Sequence, residues 1–258
     1  MKLVVKNIQM TYENLDRKNH SVLNDISFEI CQNEFVAIVG SSGCGKSTLL
    51  NIIGGLIPQT NGEVYFEGKN FNNTPRISMV FQDSALFPWK NVYNNVIFGI
   101  KNYTNDLEYI QKQGNHYIKM VGLEQFKAYY PKHLSGGMKQ RVGIARALAI
   151  KPDLLIMDEP FSALDAPTRL ILQEQLLNIW EEQPLSTLYV THNVDEAVYL
   201  ADKVIILSKK TGTIKTILPI LLPKSGRKSV NYKKEFDEYV NTILQFIFED
   251  SKDDTQKI

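Results

Sequence analysis

Nine residues near the start of the chain, Gly40-Ser41-Ser42-Gly43-Cys44-Gly45-Lys46-Ser47-Thr48, leave few folds open. They fit the pattern G-x-x-x-x-G-K-S/T. The apolar run Phe35-Val36-Ala37-Ile38-Val39 precedes them, and the helix-like run Leu49-Leu50-Asn51-Ile52-Ile53 follows. A strand, a glycine-rich loop and a helix in that order make a phosphate-binding loop. The glycines let the backbone curl so that several N–H groups converge, and the positive end of the following helix adds to their pull on an anion. Lys46 supplies a mobile positive charge for the outer phosphates, and Ser47 a hydroxyl for a magnesium ion. The alternative, a glycine-rich turn that matches by chance, is disfavoured by the lysine and serine in place and by the strand–loop–helix context.

Composition fits an α/β protein with a sizeable core. The chain has 258 residues, 43% of them hydrophobic and 22% charged, as in ordinary globular domains. A net charge of +1 gives no electrostatic basis for binding nucleic acid. With Cys31 and Cys44 the only cysteines, and one of them inside the loop, a disulfide framework is not expected and a reducing cytoplasm is. The start, Met1 to Lys6, lacks the apolar stretch of a signal peptide. Nowhere are there the roughly 20 consecutive apolar residues of a membrane span, so any membrane role is expected to go through a partner.

Read in order, residues 2–8 and 22–30 alternate as strands, with a polar loop from Glu13 to His20 between them. Tyr12 is either a surface tyrosine at a strand end or a flat platform for a purine ring. The helix after the phosphate loop stops near Gly54-Gly55 with Pro58 beyond, and Asn61-Gly62 marks a hairpin turn before Glu63-Val64-Tyr65-Phe66. A short strand over 77–81 ends at Gln82. Leu86, Phe87 and Trp89 then crowd around Pro88, as core filler under a loop or as an apolar patch for a partner. Residues 91–130 read as mainly helical, with a polar break at 101–106.

Ser135 can cap a helix running through Arg141, Ile144, Ala145 and Leu148. Gly136 and Gly137 leave its first N–H groups open to a phosphate, although Ser-Gly-Gly is also good linker chemistry. Leu154-Leu155-Ile156-Met157 is a buried strand ending in Asp158, a carboxylate suited to magnesium, and Glu159 can polarise an attacking water. The segment 160–165 is a turn before a helix that reaches about Trp180. Strands over 188–191 and 204–207 follow, the first ended by His192. Ligands of parallel α/β sheets bind beyond such strand ends. Pro219, Pro223 and Gly226 punctuate a loop, and Phe236, Tyr239, Val240, Ile243, Leu244, Ile247 and Phe248 recur at helical spacing before a polar, frayed end from Asp250.

Taken together, the phosphate loop at 40–48, Gln82, Leu134-Ser135-Gly136-Gly137, Asp158-Glu159, Ser162-Ala163-Leu164-Asp165 and His192 resemble the nucleotide-binding subunit of ABC transporters over residues 1 to about 210. Leu-Ser-Gly-Gly separates that family from other phosphate-loop ATPases. The resemblance implies a phosphate-loop NTPase core of α/β class with an antiparallel β subdomain, an ATPase domain at 1–215 with a helical subdomain inserted at about 83–150, and a C-terminal extension at 216–258 with one amphipathic helix. It implies ATP and Mg2+ as cofactors. Tyr12 would stack on adenine, and residues 40–48 would hold the phosphates. Ser47, Gln82 and Asp158 would surround magnesium, Glu159 would be the general base, and His192 would contact the γ-phosphate. Ser135, Gly136 and Gly137 would bind the ATP held by a second copy of the subunit, in a head-to-tail dimer, and Asp165 would belong to the same nucleotide site.

Leu86-Phe87-Pro88-Trp89, Thr191-His192-Asn193-Val194-Asp195-Glu196-Ala197 and Leu200-Ala201-Asp202-Lys203-Val204 are similar to importers of nitrate, aliphatic sulfonates, taurine and related small solutes. Expected partners are therefore transmembrane permease subunits and, indirectly, an extracytoplasmic solute-binding protein, with the chain peripheral on the cytoplasmic face of the membrane. Two positions depart from that group. Asn193 stands where Asp is common, and Lys209-Lys210-Thr211-Gly212 replaces a proline-containing turn. A soluble ABC ATPase acting away from transport is the competing class. The interval from Lys46 to Ser135 leaves no space for the coiled-coil insertion of DNA-repair members, and the chain carries one such domain where translation factors usually hold two.

Overall fold

The computed structural model describes residues 1–13, 19–68, 74–210, 212–224, 227 and 229–252. They fall into two compact units, one made of Met1–Asn73 and Ser186–Ile258, the other of Thr74–Leu185.

In the first unit, β1 (Lys2–Glu13) pairs antiparallel with β2 (Asn19–Ile30) and with β4 (Asn61–Glu67), giving a sheet in the order β2-β1-β4. Alternation sets the register: Leu3 faces Ile30, Val5 faces Phe28 and Ile8 faces Ile26, and all six are buried. The hairpin turn expected at Asn61-Gly62 is absent. Both residues lie inside β4, with Asn61 opposite Gln9. The register shifts between Lys6 and Gln9, and Gly62 adopts φ 92° against the bulge. A Cβ there would lie 2.4 Å from the Asn7 carbonyl oxygen, so close approach, not a turn, demands the glycine.

The second sheet segment of this unit is built on β3 (Phe35–Val39), whose five residues are all fully buried. Such an unbroken apolar run suits a central parallel strand covered on both faces. β3 lies between β7 (Thr187–Val190) and β8 (Lys203–Leu207), parallel to both, and β9 (Ile214–Pro219) closes the order β7-β3-β8-β9 antiparallel to β8. β9 was not expected, because Pro219 reads as a loop signal. It sits at the strand's last position, where a missing N–H does least harm. Helices α1 (Lys46–Ile53), α6 (Val194–Leu200) and α7 (Lys233–Lys252) complete the unit. α7 turns Phe236 and Ile243 inward, packs against α6 and β8, and remains helical past Asp250, where fraying was expected. Residues 14–18 of the expected loop, Gly226, and the tail beyond Lys252 lie outside the described residues.

In the second unit, β5 (Ile77–Val80) runs parallel to β6 (Leu154–Asp158), with Val80 opposite Met157. Helices α2 (Val92–Val96), α3 (Leu107–Met120), α4 (Gly136–Ala149) and α5 (Ala166–Glu182) accompany them. Side chains cap all four: Asn91, Asp106, Ser135 and Asp165 each accept a hydrogen bond from a first-turn backbone N–H. The polar break at 101–106 is thus a 3-10 turn followed by the Asp106 cap. α4 packs on α2, α3 and β5.

Candidate functional site

In the first unit the loop from Gly40 to Gly45 joins β3 to α1. Gly45, at φ 95°, is the N-cap residue, and a Cβ on it would come within 2.7 Å of Leu23 Cδ2. No side chain caps α1, and its first turn holds no acidic residue. The positive end of the helix is therefore not offset locally, which favours an anion. Lys46 is not the mobile charge expected. It is only 7% exposed, and its Nζ donates to the carbonyls of Gly40 at 2.8 Å and Ser41 at 3.0 Å. Ser42, Gly43 and Ser47 are exposed, while Ser41 and Thr48 are half-buried. Cys44 is buried, with Sγ 3.8 Å from Lys46 Nζ. Burial raises its thiol above the usual range, and the nearby Lys46 offsets this only in part.

His192 is exposed just past β7, in a turn fixed by its neighbours. The Thr191 hydroxyl accepts from Asn193 N at 3.0 Å and donates to Glu196 Oε2 at 2.6 Å, and the Tyr189 hydroxyl donates to the same oxygen at 3.0 Å. Asn193 caps α6 by accepting from Glu196 N. Sequence reasoning gave Glu196 no role of its own. The available signal was its place three residues after the cap, where a capping-box Glu belongs. Tyr12 is 41% exposed and pairs with His20 across β1 and β2.

In the second unit Asp158 is the last residue of β6, and Glu159 follows at φ 45°, a left-handed conformation uncommon for a non-glycine residue. Its carbonyl accepts from Ser162 N at 3.2 Å and from the Ser162 hydroxyl at 3.0 Å. Gln82 Nε2 donates to that same hydroxyl at 3.1 Å, which ties the segment after β5 to the turn after β6. Ser135 caps α4 by accepting from Met138 N. Gly137 lies so close to α5 that a Cβ on it would be 3.0 Å from Thr168 Cγ2. Asp165 caps α5, and its hydrogen bonds from Thr168 hold its carboxyl below the usual range.

The aromatic segment is held from below by two residues that sequence reasoning missed. Fully buried Asn95 accepts from Phe87 N at 2.9 Å and donates to the carbonyls of Phe87, Lys90 and Asn91. Arg146 of α4 donates to the carbonyls of Ala85 and Ser84 at 2.8 and 3.0 Å and lies over the Phe87 ring. Phe87 packs on Phe98 at 4.5 Å and on Trp89 at 5.6 Å between ring centres, and Trp89 is 70% exposed.

A phosphate loop at the end of a buried parallel strand, with an acid pair ending a second such strand, defines a phosphate-loop NTPase. Comparison with known proteins narrows this. The family model described as ABC transporter matches residues 23–162, more than half of the chain. An uncharacterized ABC transporter ATP-binding protein of Methanocaldococcus jannaschii is 44% identical, over 96% of this chain and 91% of its own. A nitrate import ATP-binding protein of Synechococcus elongatus is 43% identical over 90% and 86%, and an aliphatic sulfonates import ATP-binding protein of Bacillus cereus 41% over 87% and 87%. Among solved structures, the dimeric ATP-binding cassette MJ0796 bound to ADP and Pi superposes with a TM-score of 0.74 at 32% identity, covering 86% of this chain and all of that one. The chain belongs to the ABC transporter ATP-binding family and is an ATPase.

Proposed function

We propose that the chain is the ATP-hydrolysing subunit of an ABC importer for a small anionic or organic solute of the nitrate, sulfonate or taurine class. The observation that carries this reading is the identity of 41–43%, over nearly the whole chain, with proteins that bear sulfonate and nitrate import names. In this reading residues 1–215 are the ATPase domain, residues from about 83 to 150 its helical subdomain, and residues 216–258 an extension. Two copies pair head to tail, as the dimeric cassette MJ0796 suggests. They sit on the cytoplasmic face of the membrane, bound to permease subunits that receive solute from an extracytoplasmic binding protein.

The proposed chemistry follows from residue types. Residues 40–48 hold the phosphates by backbone N–H groups and Lys46, and Tyr12 offers its exposed ring to adenine. Ser47, Gln82 and Asp158 supply hydroxyl, amide and carboxylate oxygens, the hard donors that magnesium takes beside phosphate. Bound magnesium would neutralise charge on the phosphate oxygens. Glu159 accepts the proton of the attacking water, and His192 contacts the γ-phosphate. Ser135, Gly136 and Gly137 present the open start of α4 to the nucleotide of the partner copy, and Asp165 caps the helix against which Gly137 packs.

Glu159→Gln tests the reading. Glutamine keeps the size of the side chain but cannot take the proton, so ATP binding should survive while turnover falls about 100-fold or more. Gel filtration with ATP should then show a stable dimer. A variant that stays monomeric, or one that turns over normally, overturns the assignment.

A further inference from the structure

The turn between β8 and β9 has no part in the chemistry above, although its sequence departs from the expected proline-containing turn at Lys209-Lys210-Thr211-Gly212. It is clamped on two sides. Toward β2, the Gly212 carbonyl accepts from Asn24 N at 2.7 Å, and a Cβ on Gly212 would lie 2.5 Å from the Val22 oxygen. Toward α7, Asp250 accepts from the Ser208 hydroxyl at 2.6 Å and from Lys209 N at 2.8 Å. Lys215 of β9 holds the same end of the helix, donating to the Phe246 carbonyl at 2.8 Å and lying 3.6 Å from the Glu249 carboxylate.

The backbone of Lys209 is thus fixed, and its side chain lies against the phosphate loop. Lys209 Cε is 3.8 Å from the position that a Cβ on Gly43 would take. No other atom of Lys209 lies within 4 Å of that position, so the ammonium, one bond further along an exposed side chain, is more than 4 Å away and reaches the rim of the loop by rotation of that chain. Gly43 and Lys209 are both exposed, and the Lys209 side chain makes no ion pair among the described residues. Lys46, by contrast, is buried and bonded to the loop's own carbonyls.

We infer that Lys209 is a second phosphate-binding cation, contacting the polyphosphate of ATP from the Gly43 side of the loop and held in place by Asp250 of the C-terminal helix. This rests on the phosphate-loop reading of residues 40–48. The backbone N–H groups of such a loop cradle the α- and β-phosphates, so a cation beside Gly43 meets concentrated negative charge. Because the site is open to water, its contribution is modest and screened by salt. The same clamp makes the end of α7 a determinant of nucleotide affinity.

Calorimetric titration with ATP at about 50 mM and about 500 mM salt tests this, since surface electrostatics fade over that range. Lys209→Gln should weaken binding about 3- to 10-fold at low salt and less than about 2-fold at high salt, with an unchanged melting temperature. Lys209→Arg should bind like the parent protein. Asp250→Ala should lose at least about 2-fold at low salt, by freeing the turn. Lys209→Gln binding like the parent at low salt, or losing affinity equally at both salts, overturns the inference, and parent-like binding by Asp250→Ala overturns the role of the helix. Lys46→Ala separates this from the underlying reading. If that variant also binds ATP normally, the phosphate-loop reading fails, whereas a defective Lys46→Ala beside a normal Lys209→Gln refutes the second cation alone.

Discussion

Cys44 and Lys46 show two effects competing at one side chain. A thiol beside an ammonium and a helix start is expected to ionise easily and react fast. The structure reverses that expectation, because burial of the thiol outweighs the Lys46 charge and raises its pKa. The neutral thiol is therefore the stable form in the folded loop. A Cys31→Ser variant, which leaves Cys44 as the single cysteine, should react slowly with a maleimide at neutral pH and faster only when unfolded. A raised folded pKa contributes stability that is fully present below the unfolded thiol's pKa and is lost as pH rises through the folded value. Stability should fall more steeply on the alkaline side in the parent than in Cys44→Ala. Rapid labelling of the folded protein at neutral pH, or identical alkaline limbs, would contradict this.

At the level of elements, the end of α6 depends on a residue from far along the chain. Arg227 is 1% exposed, and burial lowers its pKa, yet its Nη1 donates to the carbonyls of Val198, Tyr199 and Ala201, while Nε and Nη2 donate to Leu222 O. These bonds satisfy carbonyls that a helix leaves open at its C-terminus. Arg227→Leu should strand several of them at about 1–3 kcal/mol each. A melting temperature lowered by roughly 5–10 °C, with faster amide exchange in α6, is the expected result. A variant melting like the parent would show that water replaces the guanidinium. The same residue explains where sequence reading stops. β3, β6, β7 and β8 were legible because each is an apolar run with polar or glycine boundaries, and the Ser135 cap was legible from its place before a periodic helix. Arg227, Asn95 and Arg146 were not, since each is a polar residue whose partners are backbone carbonyls, and nothing in spacing or composition announces those. Pro219 and Gly62 misled because one edge strand tolerates proline and one bulge demands glycine. For the candidate site, pattern and spacing gave the chemistry expected of residues 40–48, Ser135, Asp158 and Glu159, and the family resemblance gave that expected of Gln82, Asp165 and His192. They did not give environment: the burial of Lys46 and Cys44, and the left-handed backbone of Glu159, are set by the folded loop and turn and not by residue type.

At the scale of the whole molecule, the proposed importer requires ATP chemistry to reach a membrane through a partner, and no helix among the described residues is long and apolar enough to cross one. The segment from Leu86 to Trp89 is the strongest physical candidate for the contact. Its sequence allowed two readings, a filled junction in the core or a socket for a permease helix. Trp89 is 70% exposed, and the ring of Phe87, itself packed on Phe98, supports it from one side. Asn95 and Arg146 fix the backbone beneath it, so little conformational entropy remains to be lost on docking. The segment begins within a few residues of Gln82, whose amide is bonded to the turn that carries Glu159. A rigid, exposed aromatic of this kind is what dominates binding energy when a partner buries it. Trp89→Ala should therefore leave the isolated subunit folded, with a stability change within about 0.5 kcal/mol, and still able to hydrolyse ATP. Its affinity for the permease subunits should fall by about 2 kcal/mol or more, roughly 30-fold. A core tryptophan would behave in the opposite way, costing the isolated subunit about 3–5 kcal/mol. Thermal melts of the free subunit, set beside co-purification with the permease in detergent, separate the two. A destabilised subunit that still binds the permease with parent affinity would refute the coupling role of this segment.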